Sequence, residues 1–292
     1  MYKGSYVAIA TPFKNNRVDQ TGLRRNIAFL RENGSAGIVA CATTGEGPCL
    51  SKSEYELIIR TCVEEVKGKI PVIAGAGTNS TAKTIAMVHH AQNCSADGLL
   101  IVTPYYNRPT QEGLYQHYKT INADTDLPIM IYNVPSRTGT NILPLTVARL
   151  VRDCKRIRSI KEASGNLEQV SELLRLGGKR LDVLSGDDSL TLPMLMIGAL
   201  GVVSVVANIL PRAVADMCRS FFSGKIRGAQ RIHLRLFPVV KALFLETNPI
   251  PLKKAMHLMG MPSGKLRLPL VEMSSANTVL LRSALKGYGV KI

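Results

Sequence analysis

The chain has 292 residues, 46% of them hydrophobic and 20% charged, with a formal net charge of +16. That share is ample for a large core, and no apolar run reaches the ~18 to 20 residues needed to cross a bilayer. The positive charge would suit a nucleic-acid binder, but the basic residues are spread along helical segments, their clusters are short (Lys155 to Arg158, Lys179-Arg180, Lys253-Lys254), and no aromatic-interleaved stripe or zinc finger accompanies them. Neither a membrane nor a nucleic-acid partner is expected.

In chain order, short β-branched runs predict strands at 6–10, 37–41, 71–74, 99–102, 128–132, 157–161, 181–184 and 202–206. Between them, apolar residues recur at helical spacing over 20–33, 51–66, 81–93, 111–123, 143–151, 167–176 and 188–196. Ser51 with Glu54 reads as a capping box opening one of these helices. Strands alternating with helices imply a parallel sheet, and eight such units in residues 1–224 imply a closed (β/α)8 TIM barrel. The open doubly wound sheet is the competitor, but Gly75-Ala76-Gly77 lacks the third glycine and the downstream acid of a dinucleotide fingerprint. After Gly224 the β pattern stops, and 225–245, 251–259 and 271–286 predict a C-terminal α-helical region, 225–292, packed on the barrel.

The six cysteines are scattered without a Cys-x-x-Cys pair, and the five histidines lack metal-ligand spacing. Free thiols and no metal are expected. The start, Met1-Tyr2-Lys3-Gly4, lacks the apolar stretch of a signal peptide, so a cytoplasmic protein is expected.

Two apolar runs end in proton-active side chains: 127–131 leads into Tyr132, and Ile157 with Ile160 leads into Lys161. Burial disfavours an ammonium, a Schiff-base nucleophile needs a neutral amine, and a phenol alongside can move protons. Position alone also fits a lysine reaching to solvent and a tyrosine that only packs. Thr43-Thr44, Tyr105-Tyr106, Tyr132, Lys161 and Gly186 all fall at or just past the C-terminal ends of predicted strands. Barrel active sites are built on that rim.

With Tyr132 to Gly139, Ile157 to Ala163 and Ala42-Thr43-Thr44-Gly45-Glu46 in hand, the chain resembles the dihydrodipicolinate synthase family of pyruvate-dependent class I aldolases. The similarity extends from Gly4-Ser5 and Thr11-Pro12, through Pro104-Tyr105-Tyr106-Asn107 and Ser185-Gly186-Asp187-Asp188, to Asn248-Pro249-Ile250-Pro251. The resemblance implies a lyase of lysine and diaminopimelate biosynthesis, condensing pyruvate with aspartate 4-semialdehyde to 4-hydroxy-tetrahydrodipicolinate. It implies no cofactor, because Lys161 forms the imine itself. It implies a proton relay of Tyr132, Thr43 and Tyr106, with Tyr106 contributed across a subunit interface, and a homotetramer built as a dimer of dimers. Thr44 is placed at the pyruvate carboxylate, and Gly186 and the Val203 backbone in the substrate site. Ala42 stands where the family commonly has glycine, which leaves the fine geometry of that loop open.

Arg137 selects among relatives. A guanidinium binds a carboxylate bidentately, and aspartate semialdehyde carries one. Lyases of sialic acid or keto-deoxy sugar acids resemble this scaffold without the need for that arginine; they are the alternative. In lysine-sensitive relatives the effector pocket is lined by positions matching Lys52, Tyr55, Asn79, Lys83 and Tyr105. Lys83 replaces a glutamate and Lys52 a histidine or other non-lysine residue, so weak or absent lysine inhibition is expected.

Overall fold

The computed structural model describes residues 2–292. Eight strands close into a barrel in the order β1-β10-β9-β8-β7-β6-β5-β4, with a separate two-stranded hairpin, β2-β3. They are β1 (Gly4–Ala8), β2 (Phe13–Lys14), β3 (Arg17–Val18), β4 (Gly37–Ala40), β5 (Val72–Gly75), β6 (Gly98–Val102), β7 (Ile129–Asn133), β8 (Ile157–Glu162), β9 (Asp182–Ser185) and β10 (Gly201–Ser204). Parallel strands covered on both faces need apolar residues throughout, and all five residues of β7 and all four of β4 and β5 are buried.

Helices follow the strands: α1 (Gln20–Glu32), α2 (Lys52–Val66), α3 (Thr81–Asn93), α4 (Gln111–Ala123), the short α5 (Pro135–Thr138), α6 (Pro144–Asp153), α7 (Leu167–Gly177), α8 (Thr191–Met196) and α9 (Pro211–Phe222). Three more, α10 (Ile226–Ala242), α11 (Ile250–Leu258) and α12 (Ser275–Tyr288), form the C-terminal helical region of this (β/α)8 fold. Their starts are set by local chemistry. Asp19 accepts from the Gly22 N–H at 2.9 Å ahead of α1, which then buries Leu23, Ile27 and Leu30 along one stripe. Ser51 and Glu54 form the reciprocal capping box of α2. Among the described residues no helix is long and apolar enough to cross a membrane.

All eight barrel strands lie within two residues of their predicted positions. Helix α9 was not predicted, although Pro211 at its first turn and the buried Val214, Ala215, Met217 and Cys218 are a legible start and face. The segment predicted as one helix over 188–196 is a 3-10 turn, Asp188–Leu190, followed by α8. The last helix starts later than predicted, because the Ser274 side chain accepts from the Asn277 N–H and sets the cap there.

By internal contacts the chain divides into two units: Ile73–Val203 with Tyr2 and Lys3, and Gly4–Val72 with Ser204–Ile292. The first holds β6 to β9 and α3 to α8, and the second holds β1 to β4, α1, α2 and α9 to α12.

Candidate active site

In the first unit, β7 and β8 pair in parallel with Tyr132 opposite Lys161 and Asn133 opposite Glu162. Successive strand residues point to opposite faces, so Tyr132 and Lys161 share one face and Asn133 and Glu162 the other. The Lys161 Nζ lies 4.1 Å from the centroid of the Tyr132 ring. Both are buried, at 4% and 6% exposure, so the amine is held against an aromatic face rather than extended to solvent.

Gly186, just past β9, closes on the same lysine. A Cβ there would lie 3.1 Å from both Cγ and Cε of Lys161 and 2.7 Å from the Ala163 Cβ. Only a residue without a side chain lets this turn approach the lysine stem, and the Gly186 N–H donates to the Glu162 carbonyl at 2.7 Å. Val203 is fully buried in β10.

Arg137 stands exposed on α5. Pro135 opens that turn, the N–H groups of Arg137 and Thr138 donate to the Val134 carbonyl, and Gly139 ends it at φ +68°. After β6, Tyr106 holds φ +72°, an uncommon conformation for a non-glycine residue, and is 89% exposed. Its hydroxyl has no partner among the described residues.

In the second unit, Thr43–Gly45 is a 3-10 turn directly after β4. The Asn248 amide donates to the Thr44 Oγ1 at 3.0 Å, both buried, which leaves the Thr44 O–H free to donate. Ala42 adopts φ −86° and ψ −166°, a conformation open to any residue, so its methyl asks nothing special of the loop. Gly47 is where glycine is required: a Cβ would sit 2.2 Å from the Cys41 carbonyl oxygen.

The comparisons with known proteins agree along the whole chain. A model described as the Dihydrodipicolinate synthetase family matches residues 1–287. The 4-hydroxy-tetrahydrodipicolinate synthase of Geotalea uraniireducens is 51% identical over 290 residues, covering 99% of this chain and 100% of that one. The chain belongs to the dihydrodipicolinate synthetase family. The crystal structure of dihydrodipicolinate synthase from Thermotoga maritima superposes with a TM-score of 0.98 at 46% identity, covering 100% of both chains. A Cyanidioschyzon merolae family member with lysine bound gives a TM-score of 0.97 at 40% identity, covering 99% of this chain.

Some residues of this family member support the candidate residues although the sequence reading, which quotes them within motifs, assigned them no role. Asn248 supports Thr44 from about 200 residues away in the chain. Glu46, fully buried and left-handed at φ +55°, accepts from the Lys253 Nζ at 2.6 Å and from the Arg267 N–H at 2.9 Å, which anchors the turn two residues past Thr44. Burial pushes the Lys253 amine pKa down, and the Glu46 carboxylate opposes that shift. A cavity of about 660 Å³ lies beyond this pair, lined by Phe13, Lys253, Lys254, His257, Lys265 and Arg267, and holds none of the candidate residues.

The positions matching an effector pocket are divided. Lys52 is exposed at the start of α2 and Tyr55 is buried one turn later. In the first unit, Lys83 is exposed in the first turn of α3, Tyr105 is 37% exposed, and the Asn79 carbonyl accepts from the Asn107 side chain at 2.9 Å. The six cysteines are free thiols, five of them buried and Cys49 half-buried; burial pushes the Cys62 thiol up to about 12.

Proposed function

We propose that the chain condenses pyruvate with L-aspartate 4-semialdehyde to 4-hydroxy-tetrahydrodipicolinate, with Lys161 as the covalent catalyst and no cofactor. The observation that carries this reading is the Lys161 amine packed 4.1 Å from the Tyr132 ring centroid, with Gly186 against its stem. The amine attacks the ketone carbon of pyruvate, and loss of water gives the imine. The imine draws electrons, so a methyl proton leaves and an enamine forms. Its carbon attacks the aldehyde of the second substrate. That substrate's own amino group then displaces Lys161, closing the ring and restoring the free amine.

Tyr132 moves the protons of these steps, in a relay that the reading extends to Thr43 and to Tyr106. Thr44, with its hydroxyl proton free to donate, suits the pyruvate carboxylate, with Gly186 and Val203 completing the substrate site. Arg137 takes the carboxylate of the semialdehyde in a two-pronged contact. The exposed, unpartnered Tyr106 favours delivery of its hydroxyl to a neighbouring subunit, so a homo-oligomer, as a dimer of dimers, is the assembly proposed. The compartment proposed is the cytoplasm.

The test is a substrate panel. Condensation with aspartate semialdehyde is expected, without cleavage of sialic acid or keto-deoxy-gluconate. Cleavage of either sugar acid at a comparable rate, with no condensation, would replace this reading by a sugar-acid lyase.

A further inference from the structure

Behind the candidate site, on the opposite face of β7 and β8, lies a buried carboxylate without a cation. Glu162 is 1% exposed. Its Oε1 accepts from the Ser164 N–H at 2.7 Å, its Oε2 from the Gln169 Nε2 at 3.3 Å, and both oxygens take the Asn133 Nδ2, at 3.2 and 3.0 Å. Every partner is a donor, and no ion pair joins the group among the described residues. A buried charge is costly unless it is fully hydrogen-bonded, so a side chain kept in this state demands a structural reason. An acceptor-only group is what these three donors require.

The bonds lead to one segment. Asn133 also donates to the Asn141 Oδ1 at 2.8 Å and accepts from the Ile142 N–H at 3.2 Å. Asn141 and Gln169 close a reciprocal amide pair at 2.8 and 3.1 Å, and Gln111 donates to the Asn141 carbonyl at 2.8 Å. Gln169 is fixed in turn by the Asn166 cap of α7, 3.1 Å from its N–H. Between the two anchors, Asn133 and Asn141, runs the segment that carries Arg137.

We infer that Glu162 is a positioning residue: its carboxylate ties both ends of segment 133–141 to β8 and α7, and so sets where Arg137 meets the carboxylate of the second substrate. This rests on the function proposed above. Lys161 and Glu162 are neighbours with divided duties, one facing the chemistry and the other holding the specificity segment.

The direct test compares Glu162→Gln with the charge-swapped Glu162→Gln/Gln169→Glu. The amide in Glu162→Gln turns an N–H group toward a shell of donors at unchanged volume. The KM for aspartate semialdehyde is expected to rise ~10- to 100-fold, the scale of misplacement by a fraction of a bond length, while the KM for pyruvate and the yield of the borohydride-trapped pyruvate adduct stay within about threefold. The swap returns a carboxylate to the network, and the semialdehyde KM is expected to recover. If Glu162→Gln does not fold, Glu162→Asp, which keeps the charge and withdraws it by one methylene, is expected to show the same split. Both KM values moving together, or neither moving, would overturn the inference. Failure of the unmodified protein to trap pyruvate would instead overturn the function on which it rests.

Discussion

Lys161 and Tyr132 face each other across the β7–β8 register, with the amine 4.1 Å from the ring centroid. The pairing fixes the phenol ring beside the amine. Tyr132→Phe keeps the ring that packs on the lysine and removes only the hydroxyl. Positioned proton transfer is worth ~100- to 10,000-fold, so kcat should fall by that scale with little change in thermal stability. A variant with more than a third of wild-type kcat would show that the hydroxyl is there only for packing.

Arg137→Ala should act on one substrate. Loss of a charge-assisted bidentate contact costs about 1.5 to 3 kcal/mol, or roughly 10- to 150-fold in kcat/KM for the semialdehyde. Imine formation with pyruvate should be unchanged. Steady-state kinetics with each substrate varied in turn will separate the two, and an equal loss for both would make Arg137 a structural residue.

Free lysine should inhibit weakly or not at all. Lys83 is exposed in the first turn of α3, where lysine-sensitive relatives are expected to carry glutamate. A cation there repels a ligand that carries two ammonium groups. Lys83→Glu should lower the half-inhibitory lysine concentration by at least ~10-fold, about 1.4 kcal/mol. Half-inhibition of the unmodified protein below a few millimolar would refute the assignment.

His117 should make the fold sensitive to mild acid. It is buried in α4, its Nδ1 lies 2.9 Å from the Thr81 hydroxyl, its Nε2 has no partner among the described residues, and burial holds its pKa down to about 4. Below the ordinary histidine value of ~6.5, the unfolded chain takes up a proton that the folded chain refuses. Stability is therefore present above ~6.5 and is lost as the pH falls toward 4. The loss by pH 5 is about 2 kcal/mol. Denaturant unfolding at pH 7 and pH 5 checks this: His117→Gln should lose correspondingly less than wild type between the two, and an identical loss would refute it.

The strands were legible because a buried parallel strand must be apolar on both faces, as the β4, β5 and β7 runs are. Tyr132 stood out because it ends such a run, and Lys161 because it follows Ile157 and Ile160 at the end of a predicted strand. The supports of the site were not legible. Asn248 reaches Thr44, and Lys253 reaches Glu46, across more than 200 residues, and no local pattern marks such a contact. Glu162 reads in sequence as an ordinary charged residue after a strand; only the closed shell of donors around it shows otherwise. The hairpin β2-β3 escaped because two-residue strands carry too few positions for an alternation to be seen.

The Schiff-base mechanism requires that Lys161 itself form the imine, and trapping the adduct tests this directly. The protein is incubated with pyruvate, reduced with borohydride, digested, and analysed by mass spectrometry. A single pyruvate-derived adduct on Lys161 with matching loss of activity is the result the Schiff-base mechanism predicts, and Lys161→Arg should give neither adduct nor turnover because a guanidinium stays protonated. An adduct on any other lysine, or full activity in Lys161→Ala, would contradict it.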